Sequence, residues 1–241
     1  MNTSVASITI PTCDYCYSRL RCLFSNWEGE QCDIVTLKRG CRCNFLPKGH
    51  LIFHAGTPPA GLFYLNRGKV KVYKTGEDGK KQIVRLAKNG DILGYRALIS
   101  GKVYSVTAET LDNTCLCFIP QEVFFEILTS QPEIAIKVMR LLTNDLETAE
   151  QMILDLAQRP VRERVALSLL ALKQVYGVKT DGQTLDVELS REDIANMVGT
   201  ATESVIRLLS EFRKDGLIEV SGRKIKVLDE ERLLRTAYIF D

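Results

Sequence analysis

Eight cysteines stand against two histidines in 241 residues, and three of them crowd into the stretch TCDYCYSRLRC. Two residues separate Cys13 from Cys16 and five separate Cys16 from Cys22; Cys32, Cys41, Cys43, Cys115 and Cys117 complete the set. A donor set rich in thiol and poor in imidazole selects soft-metal chemistry, iron with sulfide above all. The short first spacing lets two ligands share one face of a cluster, while the longer gap carries the third around it. Three other chemistries stay open. Zinc takes four thiolates, although only one clear CxxC is present and no second pair. A reversible disulfide is open to Cys13 and Cys16, or to Cys41 and Cys43. Plain burial as small apolar residues is the reading for Cys32, Cys41 and Cys43.

A different chemistry is written near the other end, in SREDIANMVGTATESVIRLLSEFRKDG. Ser190 occupies an N-cap position ahead of acidic residues that suit a helix N-terminus. Gly199 supplies a turn after Ile194 and Val198, and residues 200–202 are placed to cap a second helix over residues 203–214. Ala195 falls where two helices must approach closely, and Val205 and Leu208 return the second helix to a core. Small residue, glycine and two apolar residues at these offsets predict a helix-turn-helix. The alternative is an ordinary helix hairpin, but Gly216-Leu-Ile-Glu-Val, Ser221-Gly222 and Arg223-Lys-Ile-Lys-Val follow as a two-stranded wing. Residues 207–226 hold six basic and three acidic side chains, the local surplus that phosphate contacts need.

The exposed face of the second helix then carries Thr202, Glu203, Ile206 and Arg207. Arginine forks to guanine O6 and N7 and glutamate accepts from the cytosine amino group, so the pair suits a G·C step in the major groove. Glu203 and Arg207 also stand at i,i+4, the spacing of a surface ion pair. Ser204 and Thr200 are expected at phosphates, and Ser190, Arg191 and Lys224 complete the expected DNA-binding set.

These groups need a scaffold. Apolar residues at 45 % and charged residues at 26 % are ordinary globular usage, and the net charge of +2 gives no global attraction to nucleic acid. No apolar run long enough to span a membrane and no secretory leader is read in the chain, so the expected compartment is cytoplasm, where structural disulfides are disfavoured. Over residues 40–120, period-two alternation at Val70, Val72, Val84 and Leu86 with recurring glycine turns predicts a small antiparallel sandwich or barrel. From Pro132 the period changes. Val138, Leu142, Leu146, Ala149, Ile153 and Leu156 are spaced by three or four with no Gly or Pro until Pro160, which predicts one amphipathic helix of about 25 residues. Its near-heptad stripe is read as the seam of a parallel homodimer, with core packing as the alternative. A further helix, Val161–Tyr176, follows.

The order of β-roll, long helix and winged helix resembles the CRP/FNR family of bacterial transcription regulators. The phrases GDILGY, MRLLTNDLETAEQMILDL and TESVIRLLSEFRKDGLI carry the resemblance. It implies an α+β fold: a cysteine-rich segment (residues 1–36), a jelly-roll-type, cyclic-nucleotide-binding-like β-roll (37–130), a dimerisation helix (131–158) and a winged helix-turn-helix (159–241). It also implies a homodimer that reads an inverted repeat of double-stranded DNA through Glu203 and Arg207 and works with RNA polymerase, without membrane. Ile206 stands where the FNR branch has serine; it offers a methyl contact to thymine but no hydrogen bond. Cyclic-nucleotide binders of the family use a Gly-Glu step and an Arg-Ser pair, whereas this chain reads Gly94-Tyr95 and Tyr104-Ser105, so no cyclic AMP is expected. The FNR branch instead carries Cys13, Cys16 and Cys22 at their observed spacing and a fourth ligand, matched by Cys117, around an oxygen-labile [4Fe-4S] cluster. Cys115, two residues earlier on the same strand face, is the other candidate for that fourth position.

With Asp145 close to the helix stripe, repulsion between two such carboxylates across the seam is one expected restraint on dimerisation; a solvated Asp145 is the other reading. No enzyme is expected, since His50 and His54 form no constellation and no Walker loop, G-x-S-x-G or His-metal helix motif is present. The remaining alternatives are the same regulator with a different signal, a small molecule in the β-roll or thiol redox, and an iron-sulfur electron carrier.

Overall fold

The computed structural model describes residues 42–238. Ten strands and seven helices follow in order within that span: β1 Arg42–Leu46, β2 Leu51–Phe53, β3 Gly61–Arg67, β4 Val70–Thr75, β5 Lys81–Ala87, β6 Ile92–Leu93, α1 Tyr95–Ser100, β7 Thr107–Thr110 and β8 Thr114–Pro120. Then come α2 Gln121–Ser130, α3 Pro132–Gln158, α4 Val161–Tyr176, α5 Arg191–Val198, α6 Thr202–Lys214, β9 Ile218–Ser221, β10 Lys224–Val227 and α7 Glu230–Ala237.

The first eight strands make two antiparallel four-stranded sheets, ordered β1-β8-β3-β6 and β2-β7-β4-β5. Leu65, Leu93, Leu116, Val70, Val72 and Ala108 fill the space between them. The first sheet is covered again on its outer side, where Leu62, Tyr64, Cys117 and Ile119 meet Phe124 and Ile127 of α2 and Ile134 and Val138 of α3. Burial on both faces explains why β3 and β8 read as nearly continuous apolar runs, GLFYL and CLCFI, instead of alternating.

Pro132 sits in the first turn of α3, where its missing N–H is no loss, and the helix runs 27 residues, about 40 Å, to an extended Arg159 ahead of Pro160. The apolar stripe expected on one side of this helix is divided between two surfaces. Val138 is buried and Leu142 half-buried against the roll, while Leu146 and Ile153 are 60 % and 67 % exposed together with Met139 and Ile136. Met139, Leu146 and Ile153 recur every seven residues along that outer line.

The C-terminal helices share a separate core. Leu169 and Leu172 of α4, Ile194 and Val198 of α5, Val205, Leu208 and Phe212 of α6, Ile225 of the wing and Leu233 of α7 are all buried together. Leu111 of the roll reaches into the same cluster, so the two units are docked.

Candidate functional site

The helix-turn-helix is set by local chemistry. The Ser190 hydroxyl accepts from the Asp193 backbone N–H at 2.9 Å and donates to Asp193 Oδ2 at 2.7 Å, and Oδ2 also accepts from the Ser190 N–H at 3.1 Å. This reciprocal capping box starts α5. Gly199 ends it in the left-handed region (φ 68°, ψ 51°), with its N–H donating to the Ala195 carbonyl at 2.8 Å. A Cβ at Gly199 would also fall 2.7 Å from the Leu156 side chain at the end of α3, so the turn lies close against the long helix.

The second helix starts one residue earlier than the sequence suggests. Ala201 is its N-cap, and no side chain satisfies the first amides of α6. Residues 200–202 therefore provide no side-chain cap, and those amides lie at the positive end of the helix dipole. Along the outer face, Glu203, Ile206 and Arg207 are exposed and Thr202 and Ser204 half-buried. The expected pairing of Glu203 with Arg207 is replaced by another: the Arg207 guanidinium donates to Glu211 at 2.5 Å. Glu211 is held from its other side by Arg162 of α4 at 2.8 Å, which biases the choice.

Of the other residues expected at DNA, Arg191 spans from α5 to the wing, where it donates to the Gly222 carbonyl at 2.7 Å and ties the β9–β10 turn to α5. Its other terminal nitrogen is buried without a hydrogen bond, and burial lowers the guanidinium pKa. Lys224 is exposed on the wing opposite Ser221, and Thr200 is half-buried beside the turn. Arg213 and Lys214 close the last turn of α6 on the exposed side. The outer face of α6 thus gathers Thr202, Glu203, Ile206 and Arg207, Lys224 is exposed on the wing, and Ser190 and Arg191 bond within the motif.

The helix-turn-helix unit is fastened to the roll by contacts that sequence reasoning missed. Lys71 of β4 reaches Asp193 at 2.7 Å and Glu109 at 3.0 Å. Gln82 donates to the Met197 carbonyl at 3.2 Å, and the Tyr176 hydroxyl donates to the carbonyls of Ala87 and Val70 at 3.3 and 3.4 Å. Burial opposes ionisation of both Lys71 and Asp193. Their mutual hydrogen bonding outweighs it, with Ser190 aiding the acid and Glu109 the base, so the Lys71 pKa is raised and that of Asp193 lowered. The available signal was Lys71 standing between Val70 and Val72, on a strand whose other lysine, Lys74, lies at its exposed end.

Asp145 lies beside the outer line of α3 and faces inward. The Tyr95 hydroxyl donates to its Oδ2, and Arg96 and Arg85 stand 3.9 and 4.0 Å away. The expected carboxylate repulsion at a seam is therefore replaced by contacts within one chain. Gly94, Tyr95, Tyr104 and Ser105, the places read against cyclic-nucleotide binding, line a pocket that Arg96 also enters. Burial pushes the Tyr104 phenol up to about 12.

For metal chemistry, Cys13, Cys16 and Cys22 lie outside the described residues, as do Cys32 and Cys41. Cys117 stands on β8 between Cys43 and Tyr64 in register, largely buried and disulfide-bonded. Cys115 is buried on the same strand. Among the described residues no group of three or more Cys, His, Asp or Glu is arranged to hold a metal, and no described helix is long and apolar enough to cross a membrane.

Comparisons with known proteins match both units. A family profile described as a cyclic nucleotide-binding domain covers residues 43–131, and one described as a Crp-like helix-turn-helix domain covers residues 163–236. The chain is 31 % identical to Electron transport regulator A of Shewanella oneidensis over 189 residues, 78 % of this chain and 75 % of that protein. It is 28 % identical to the Fumarate and nitrate reduction regulatory protein of Escherichia coli over 193 residues, 80 % of this chain and 77 % of the relative. The solved structure of FixK2 from Bradyrhizobium japonicum shares the fold with a TM-score of 0.74 at 24 % identity, covering 83 % of this chain and 99 % of that one.

Proposed function

Because the chain belongs to the CRP/FNR family of transcription regulators, in its FNR branch, we propose that it acts in the cytoplasm as a homodimer that reads an inverted repeat in DNA and engages RNA polymerase. The observation that carries this reading is the exposed face of α6, where Arg207 projects with its side chain 66 % accessible. Arg207 is offered to guanine, Glu203 to a cytosine amino group and Ile206 to a thymine methyl. Thr200, Ser204 and Lys224 meet phosphate, as do the uncapped amides of α6. Ser190 and Arg191 support these contacts by fixing the first helix and the wing.

The exposed heptad Met139, Leu146 and Ile153 supports a parallel dimer along α3. Two reading heads on one two-fold axis want half-sites about one DNA turn, roughly 34 Å, apart.

The signal we assign is a [4Fe-4S] cluster on Cys13, Cys16, Cys22 and Cys117. The donor set fits by chemistry: four thiols with the soft character and spacing that iron and sulfide require. Such a cluster, when bound, supplies an oxygen-sensitive bond between the N-terminal segment and the roll. Cys117 is the fourth donor once its disulfide is reduced, and its place beside Tyr64 in the apolar cluster against which α3 packs couples it to that helix.

The test is a gel shift with an inverted-repeat probe and a scrambled one, run on anaerobically purified protein with iron and acid-labile sulfide counted per chain. Preference for the repeat, lost in Arg207→Gln, supports the reading head, and equal affinity for both probes overturns it. A visible band that bleaches in air with matched iron and sulfide supports the cluster. A protein that stays colourless after reduction and reconstitution overturns that part alone.

A further inference from the structure

A flexible arginine reads a base best when its guanidinium is already aimed, because the rotamers it must otherwise give up on binding cost affinity. Arg207 leaves α6 with its side chain 66 % accessible, so packing alone does little to aim it. A line of contacts from the core does so instead. It begins at Phe212, buried on the inner face of α6, over whose ring the Arg162 guanidinium of α4 lies 4.8 Å from the centroid.

Arg162 is held at two further points. Its Nη2 donates to Asp215 Oδ2 at 3.0 Å, and its Nη1 donates to Glu211 Oε2 at 2.8 Å. The other oxygen of Glu211, Oε1, accepts from Arg207 Nη1 at 2.5 Å. One carboxylate thus stands between two guanidinium groups, the first anchored on the core and the second facing outward. The bond at Nη1 leaves Nη2 and Nε of Arg207, and so most of its N–H donors, for a base. Glu203 is exposed and equally spaced from Arg207 along the helix, yet Arg207 pairs with Glu211, so the Glu203 carboxylate keeps its acceptors for a base of its own.

On the assignment of Arg207 to guanine made above, we propose that Glu211 is a positioning residue for that contact, with Arg162 as its brace, and that together they set how sharply guanine is discriminated without touching a base. Two effects of Glu211 oppose each other. Its carboxylate narrows the orientations of Arg207, which favours the one base edge that fits. Its charge repels phosphates, which weakens attachment to any duplex. Glu211 therefore lowers bulk affinity and raises selectivity, and its removal should reduce discrimination while leaving bulk affinity intact or increased.

The test is selection by the full chain from duplexes carrying an inverted repeat with randomised half-sites. Affinities are then measured on the selected repeat, on the repeat with its Arg207-dependent guanine changed, and on a scrambled duplex. In the native chain one guanine position should be selected and should relax on Arg207→Gln. Glu211→Ala and Arg162→Ala replace side chains that are 38 % and 40 % accessible, so both variants should fold. Each should lower discrimination at that guanine about three- to tenfold, the range that ordering one long side chain is worth, with preference at the other positions unchanged. In Glu211→Ala the affinity for the scrambled duplex should be unchanged or higher. The double variant should lose no more discrimination than the larger single loss, as groups acting in one line do. Equal losses on the selected and scrambled duplexes in Glu211→Ala, or additive losses in the double variant, overturn the positioning role. So does intact guanine discrimination in both single variants when Arg207→Gln relaxes it, and the assignment of Arg207 then still stands. If Arg207→Gln relaxes no guanine, that assignment falls and the positioning role falls with it.

Discussion

Asp193 caps the first helix of the reading head, accepts from Ser190, and holds Lys71 of the roll. Replacing Ser190 by Ala should cost about 1 kcal/mol of stability through the lost cap, measured by urea unfolding. The same cluster sets a pH dependence. The Asp193 carboxyl is lowered from an ordinary value of 3.8, so its contribution is complete above that value and is lost as pH falls through the folded pKa. Lys71 is raised above 10.5, so its contribution is present below that value and is lost at still higher pH. Stability should therefore fall less steeply in acid for Asp193→Asn than for the native chain, and parallel acid limbs would refute the assignment. The Ser190 cap was legible because Ser-x-x-Asp is a local pattern. The partner of Arg207 was not, since Glu203 and Glu211 both stand four residues away and the decision is made by Arg162, which sequence keeps 49 residues from Glu211. The N-terminal thiols are legible as spacing only.

At the scale of elements, α3 shows why periodicity locates a helix better than it divides one. Its apolar positions serve the roll through Ile134 and Val138 and an outer line through Met139, Leu146 and Ile153. A wide apolar arc seen in sequence is the sum of both, and nothing in the spacing marks where one ends. The two antiparallel sheets were legible from turns and alternation where one face is less covered, as in β5. They were harder to read in β3 and β8, where both faces are buried. The division makes a prediction. Leu146→Glu places a charge on the outer line without touching the roll, so the chain should stay folded while dimerisation weakens. Burial of one leucine is worth about 1.5–3 kcal/mol, at least a tenfold change in the dissociation constant by equilibrium sedimentation. Val138→Ala should instead lower the melting temperature. An unchanged dimer constant in Leu146→Glu would remove this line from the interface.

At the scale of the whole molecule, the described residues form two units fastened to each other, with Lys69 paired to Asp186 at 2.9 Å as one of the ties. Lys71 bridges Glu109 and Asp193, with Tyr176 and Gln82 beside it. Removing the cation in Lys71→Met leaves two mostly buried carboxylates facing each other, a loss of about 3 kcal/mol. The single melting transition expected of the docked chain should then separate into two, and amides of β4 should exchange faster; one sharp transition would show that apolar contacts around Leu111 suffice. None of this docking was legible, because it joins residues 89 to 122 positions apart.

Between α3 and α4 the chain leaves only Arg159 and Pro160. Pro160 has a fixed φ, and Arg159 is held by Asp155 at 2.7 Å and by the Ala237 carbonyl at 3.0 Å. So short and braced a joint has little play in which to absorb torsion. The long helix and its successor therefore work as a crankshaft: a roll of α3 about its own axis either swings the reading head through an arc or strips it from the fastening at Lys71.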